Sequence, residues 1–168
     1  MIKRRLIPKL QIRTLNVSGN LRPVLVTTNQ FGKHIEIGDP VSQARIYEAQ
    51  AADELIILDL DATENNRGTL VSVIRKAAEV IFMPFTVGGG ISDVASAEAV
   101  LSAGADKIST SSAAFRKPEI IQQMVKKFGP DKVTVAVDIN FIPAGQGGPP
   151  PDSMRWNGPK KWMVTESG

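Results

Sequence analysis

Five groups of residues in this chain could do chemistry. Pro84-Phe85-Thr86-Val87-Gly88-Gly89-Gly90-Ile91 is an apolar run that ends in three glycines. Gly104-Ala105-Asp106-Lys107-Ile108-Ser109-Thr110-Ser111-Ser112 repeats the arrangement with small hydroxyl residues. Each run leads into a helical pattern, so each sets backbone amides at a strand-to-helix turn. Successive N–H groups, glycines that let the backbone come close and the positive end of the next helix suit a phosphate. Glycines alone fit a purely structural turn equally well. The serine hydroxyls of the second loop tip the reading towards function and make Gly89, Gly90, Ser111 and Ser112 the candidate phosphate contacts. Asp138, at the end of an apolar run, is a candidate general acid or base, with a structural ion pair as the competing role. Asp59 and Asp61 form a tempting acid pair, while Arg5, Glu54 and Lys107 stand at the starts of separate apolar runs.

Composition narrows the possibilities. The 168 residues are 42% hydrophobic and 22% charged, enough for one domain with a sizeable core. No apolar run reaches about 18 residues and the N-terminus lacks a signal-like segment, so no membrane contact and a cytoplasmic location are expected. The absence of cysteine excludes disulfides, thiolate metal sites and cysteine nucleophiles. A single histidine, His34, cannot build a histidine-rich metal site and reads as a loop residue; no metal or cofactor is expected. A net charge of +3 is too small to argue for nucleic acid.

The elements that must position these residues follow in order. Residues 6–12 read as a strand, and 13–38 as a long polar and β-branched excursion with no helical period. Asp39-Pro40 opens a helix that runs to about residue 52, the aspartate capping free amides and the proline taking the first helical position. Residues 55–60 are an apolar run of strand length. After a turn at Asn65-Asn66-Arg67-Gly68 comes the clearest helix, with Leu70, Val73, Ile74, Ala77 and Ile81 at spacings of three and four. Residues 84–88 form the third strand, Ser92 or Asp93 starts the third helix, Gly104 ends it, and 107–110 form the fourth strand. Pro118 begins a fourth helix that Gly129-Pro130 ends, and 133–138 form the fifth strand.

Repeated alternation of strand and helix argues for parallel strands with helical crossovers, in an open doubly wound sheet or a (β/α) barrel. Ala51-Ala52-Asp53-Glu54-Leu55 is echoed by Gly104-Ala105-Asp106-Lys107-Ile108 before a later strand, and this recurrence favours the barrel. A complete barrel needs roughly 250 residues. The fold class is therefore α/β, a member of the (β/α)8 TIM-barrel family present as a partial barrel of about five parallel strands and four helices. Residues 1–168 read as one domain. Residues 140–168 read as a loop or hairpin inserted after strand five, with Trp162-Met163-Val164 as one arm. The first and fifth strands would each leave an unpaired edge, so the chain alone is expected to be poorly stable or to self-associate.

Side chains alternate along a strand. Val133, Val135 and Val137 suit packing under helices, which turns Asp138 into the barrel at its C-terminal rim, where the active sites of such barrels lie. The same parity puts Arg5, Ile7, Lys9 and Gln11 on one face, with Gln11 opposite Asp138. An inward Glu54 sends Asp59 and Asp61 outward to structural roles. Arg5, Glu54 and Lys107 could then form a ring of alternating charge across the bottom of the barrel. Three separate surface charges are the plainer alternative, and the residues alone favour it.

Ile7-Pro8, Gly38-Asp39-Pro40, Asp53-Glu54-Leu55 with Leu58-Asp59, the glycine run, Gly104-Ala105-Asp106-Lys107 and Val137-Asp138 resemble, in that order, the cyclase subunit of imidazole glycerol phosphate synthase, the HisF family. The resemblance implies a lyase-type (β/α)8 barrel that takes ammonia from a glutaminase docked on its N-terminal face. The ammonia reaches a bisphosphorylated substrate, which is split and cyclised into imidazole glycerol phosphate and an aminoimidazole carboxamide ribotide in histidine biosynthesis. It implies that Gly90, Ser111 and Ser112 match the first phosphate site and Asp138 one of two catalytic aspartates. Arg5, Glu54 and Lys107 match three of four residues gating the ammonia entrance, which reverses the plainer reading of the ring.

Gln11 stands in place of the other catalytic aspartate and cannot exchange protons. Lys9 stands where the family has a cysteine, a charge that calls for a partner such as Asp138 or Glu54. Strands six to eight, the second phosphate site and the fourth gate residue have no counterpart in these residues. Leu58-Asp59-Leu60-Asp61-Ala62-Thr63 and Phe82-Met83-Pro84 resemble a HisF-like branch linked to surface polysaccharide. Its members look like ammonia-delivering partners of a glutaminase that convert an acetamido sugar into an amidino sugar. Channelling needs the gate but not the aspartate pair, which fits Gln11. A truncated, inactive phosphate-binding fragment is the remaining alternative.

Overall fold

The computed structural model describes residues 4–28, 34–64, 70–141 and 162–165. Its first three strands form a meander: β1 (Lys9–Val17), β2 (Asn20–Thr28) and β3 (His34–Gly38). Ser18 and Gly19 both have positive φ, 52° and 84°, the backbone of a two-residue hairpin turn whose twist matches the strands. Asn16 Oδ1 accepts from the Gly19 amide at 2.9 Å and braces it. β2 pairs antiparallel with β1 from Gln11↔Val26 to Val17↔Asn20, and β3 pairs antiparallel with β2. Residues that read as an excursion without a helical period are thus largely strand.

Strand and helix then alternate. The Asp39 carboxylate accepts from the Ser42 amide at 2.7 Å and Pro40 opens α1 (Pro40–Ala49). There follow β4 (Leu55–Asp59), a single turn α2 (Asp61–Glu64), α3 (Val71–Ala78), β5 (Phe85–Gly88) and α4 (Val94–Ser102). Next come β6 (Lys107–Thr110), the short α5 (Ser112–Arg116), α6 (Glu119–Phe128) and β7 (Val133–Val135). The turn at residues 65–68 lies outside the described residues. The main sheet has the order β3-β2-β1-β4-β5-β6-β7, with β1, β4, β5, β6 and β7 parallel. This is a partial (β/α) barrel of five parallel strands.

Two expectations need correction. The free edge foreseen on the first strand is covered by β2 from Gln11 onward, so the edges of the sheet are β3 and β7. The fifth strand breaks after Val135: β8 (Asp138–Phe141) pairs antiparallel with β9 (Trp162–Thr165) in a separate two-stranded sheet. The rest of 140–168 lies outside the described residues.

The helices cover one face of the main sheet. Leu10, Ile12, Leu55, Ile57, Val87 and Ile108 are buried from the strand side against Ala44, Val73, Ile74, Ala77, Val100 and Met124 of the helices. The other face is open: Lys9 and Thr134 are exposed, and Gln11, Ile56, Leu58, Lys107 and Ser109 only half-buried.

The internal echo recurs bond for bond. At the end of α1 the Ala51 amide donates to Glu48 O and the Ala52 amide to Tyr47 O, at 3.0 and 3.1 Å. At the end of α4, Gly104 donates to Leu101 O and Ala105 to Val100 O, at 3.1 and 3.4 Å. Both ends form the same left-handed cap, with φ 57° at Ala51 and 113° at Gly104. The aspartate two residues on then clamps the neighbouring strand. Asp53 donates its amide to Leu6 O at 3.0 Å and accepts from the Leu6 amide at 2.7 Å. Asp106 does the same with Phe85, at 3.1 and 2.9 Å.

A left-handed backbone disfavours any Cβ, so Ala51→Gly is expected to raise stability by about 1 kcal/mol. Gly104→Ala adds a Cβ that would lie 2.5 Å from Ala78 Cβ and is expected to cost about 2 kcal/mol or more. Urea denaturation of the two variants beside wild type measures both signs.

Candidate functional site

The register of the parallel strands aligns side chains in rows across the open face. One row runs Gln11, Leu58, Gly88, Ser109, Thr134, and the next, towards the N-terminal ends, runs Lys9, Ile56, Thr86, Lys107. Glu54 stands below Ile56 with its side chain 14% exposed. One of its oxygens, Oε1, pairs with Arg5 Nη1 and the other, Oε2, with Lys107 Nζ at 3.2 Å. The structure thus brings Arg5, Glu54 and Lys107 together at the N-terminal end of the sheet. Arg5 and Lys107 are partly in solvent, so each pair is individually weak and easily opened. Two cations share one carboxylate, which leaves the cluster net positive.

The glycine run occupies the opposite end. Gly89 and Gly90 have φ 92° and 71°, and a Cβ on Gly89 would overlap the Asp59 carbonyl oxygen. Glycine is therefore required both for the left-handed turn and for its close seating on the end of β4. The buried Thr110 hydroxyl donates to Ile91 O at 3.1 Å and ties this turn to the end of β6. Ser111 and Ser112, half-buried, follow directly. The two loops therefore sit on adjacent strands, bridged by a threonine whose tie no local pattern announces.

One expectation for this end is corrected. The Ser92, Asp93 and Ser96 amides at the start of α4 are not offered to an anion, because the chain's own side chains take them. Asp93 Oδ1 accepts from Ser96 N at 2.7 Å, and Ser96 Oγ accepts from Ser92 N and Asp93 N at 3.2 and 3.1 Å. This is a capping box with serine in the reciprocal position. The hydrogen bond donated by the Ser96 backbone N–H holds the Asp93 carboxyl below its ordinary value of 3.8. An anion at this end would rest on the glycine turn and the hydroxyls of Ser111 and Ser112.

Asp59, on the helix-covered side of β4, and Asp61, which opens α2, are both buried. Asp59 accepts from the Leu70 amide at 3.2 Å. Asp61 accepts from Arg13 Nε at 2.5 Å and the Thr14 amide at 2.7 Å, and Arg13 Nη1 reaches His34 Nδ1 at 2.8 Å. Both carboxylates are thereby committed to structure. His34 lies on β3 rather than in a loop.

Gln11 lies half-buried on the open face and Lys9 exposed on it, with no carboxylate partner among the described residues. Asp138 begins β8; its side chain, and with it any approach to Gln11 or Lys9, lies outside the described residues. Val135 and Val137, expected under helices, are exposed because β7 is the sheet's edge, where the last main-chain link is Ala136 N to Thr110 O at 2.9 Å. Among the described residues no group of three acidic or histidine side chains is placed to hold a metal, and no helix is long and apolar enough to cross a membrane.

Parallel strands, crossover helices, amide-rich turns at one end and a charge cluster at the other define a partial (β/α)-barrel protein. The chain belongs to the histidine biosynthesis protein family, whose model matches residues 12–161. Within that family it is similar to imidazole glycerol phosphate synthase subunit HisF. The protein of that name from Nocardia farcinica is 42% identical over 133 residues, 79% of this chain and 48% of the relative. The one from Desulforapulum autotrophicum is 39% identical over 142 residues, 84% of this chain and 52% of the relative. The chain spans about half the length of these curated relatives.

Asp93 has a depressed carboxyl, so its cap stabilises the fold above about pH 3.8 and is lost as pH falls through its lower folded value. Asp93→Ala is expected to cost about 1 kcal/mol at neutral pH. The gap in Tm between wild type and variant should narrow below pH 4, a trend that thermal melts across pH 2–7 test directly.

Proposed function

We propose that this chain forms part of a synthase barrel of the HisF type. A partner glutaminase docks on its N-terminal end, ammonia enters there, and a bisphosphorylated substrate is split and cyclised at the other end to imidazole glycerol phosphate and an aminoimidazole carboxamide ribotide. The site of action is histidine biosynthesis in the cytoplasm. The observation that carries this reading is Glu54 holding Arg5 and Lys107 at once, on the open face of the sheet and at its N-terminal end. Ion pairs this exposed open at small energetic cost, as a gate must. Family membership and the relatives' names support the same reading.

Each residue then has a task. Gly89 and Gly90 present the turn on which a phosphate rests, and Ser111 and Ser112 donate hydroxyl hydrogen bonds to it. Ile56 and Leu58 of β4 give neutral ammonia apolar contacts between gate and rim, with Lys9 and Gln11 on one side and Thr86 on the other. Asp138 transfers protons at the reacting atoms as general acid or base. Gln11 donates and accepts hydrogen bonds through its amide and orients substrate, but it moves no proton.

That last point favours a second reading. A protein with an amide where a proton carrier would stand is better matched to delivering ammonia than to the cyclisation. In that case the acceptor is an acetamido sugar and the product an amidino sugar of a surface polysaccharide.

The test joins this chain to the C-terminal half of the Nocardia farcinica relative and adds a glutaminase subunit. Turnover is followed with glutamine and, separately, with ammonium salt. Glu54→Gln is expected to lower the glutamine-driven rate by about tenfold while the ammonium-driven rate stays within about twofold. Gln11→Asp is expected to raise turnover of the bisphosphorylated substrate if the second reading holds. No turnover from either nitrogen source on either substrate class would sink both readings.

A further inference from the structure

Two large apolar side chains project from the N-terminal end of the sheet: Phe82, 92% exposed, and Leu6, 63% exposed. Both backbones are clamped by carboxylates. The Phe82 and Met83 amides donate to Glu48 Oε2, near the end of α1, at 3.1 and 3.0 Å. Ile81 and Met83 on either side are buried, so the chain between α3 and β5 turns Phe82 outward by alternation. Leu6 is held by the Asp53 clamp through both its amide and its carbonyl. An apolar group on a rigid backbone loses little further freedom on association, and projecting aromatics dominate the energetics of protein interfaces.

The two prongs flank the charge cluster. Leu6 precedes β1 and adjoins Arg5, Phe82 precedes β5, and Glu54 precedes β4, which lies between those two strands. A body that grips both prongs therefore covers Glu54. Transfer of ammonia without loss to water needs such a cover, because an uncovered mouth would leak it and admit solvent.

We propose that Phe82 and Leu6 are the apolar anchors on which the glutaminase subunit seats over the Arg5–Glu54–Lys107 cluster, with Phe82 entering an apolar recess of that partner. The assignment rests on the function proposed above and specifies how its partner is held. It also gives a role to Phe82-Met83-Pro84, which neither the phosphate site nor the gate explains.

The chain is titrated calorimetrically with the glutaminase subunit from the same genome. Phe82→Ala is expected to raise Kd by ~30-fold, Leu6→Ala by ~10-fold and Phe82→Asp by more than either. Thermal melts of the Phe82 variants should match wild type, since that ring is nearly all in solvent, and this separates docking from folding. Binding by wild type with unchanged affinity in the Phe82 variants would overturn the anchor assignment and leave the proposed function standing. No binding by wild type would overturn both. A Phe82 variant that alters only self-association in light scattering, at unchanged glutaminase affinity, would assign the prong to a second copy of the chain and reject the proposal.

Discussion

An aspartate carboxylate at the foot of a strand, holding the amide of the strand beside it, fixes the register on which the rest of this fold depends. Asp53 clamps Leu6 and Asp106 clamps Phe85, each through a reciprocal pair of hydrogen bonds. In a sheet with one face under helices, a slip of one residue would exchange the two faces. Glu54 would then turn into the apolar layer and Asp59 out onto the open face. With the clamps in place, Glu54 and Lys107 meet, while Asp59 is committed to packing and capping. The left-handed caps after α1 and α4 deliver each aspartate to its post, which is why the two stretches echo each other in sequence.

Parallel strands also separate the chemistry by end. Every crossover returns the chain to the same end of the sheet, so all strand-to-helix turns collect at one rim and all helix-to-strand turns at the other. The amide-rich glycine turn and the serines lie at the first rim, and the charge cluster and apolar prongs at the second. Polar groups differ between the two faces: Asp61 and Thr110 are buried and satisfied within the fold, whereas Gln11 and Ser109 on the open face are only half-buried.

Much of this was legible in the residues because the signals were local. Asp39-Pro40 announces α1, the three-and-four spacing from Leu70 announces α3, and strand parity sends Asp59 to the helical side while setting Gln11, Glu54 and Lys107 on the other; Asp61 lies past the end of β4, in α2, where strand parity no longer applies. The signals that failed were non-local or mixed. β2 contains Pro23 and buries Val24, Leu25 and Val26 in succession, so it lacks the alternation that marks a strand. The bond from Thr110 to Ile91 and the Glu48 clamp on Phe82 join residues far apart in sequence. The fifth strand reads as continuous to Asp138 because Val133, Val135 and Val137 alternate correctly. Its break after Val135 comes from pairing partners on two different sheets. Ser92-Asp93 marks a helix start in the sequence, but the reciprocal bonds by which Asp93 and Ser96 take the Ser92, Asp93 and Ser96 amides depend on side-chain geometry that spacing alone does not show.

The hairpin on β1 has a consequence for any closure of the barrel. β1 pairs with β4 over Lys9 to Ile12, so a strand completing the circle would need the opposite edge of that segment. β2 already occupies that edge from Gln11 onward and leaves only Lys9 and Leu10 for a newcomer. Hairpin docking and full closure therefore compete for the backbone of Gln11 and Ile12. A strand that completed the circle along the whole of this segment would have to displace the hairpin from the rim where Gln11 stands.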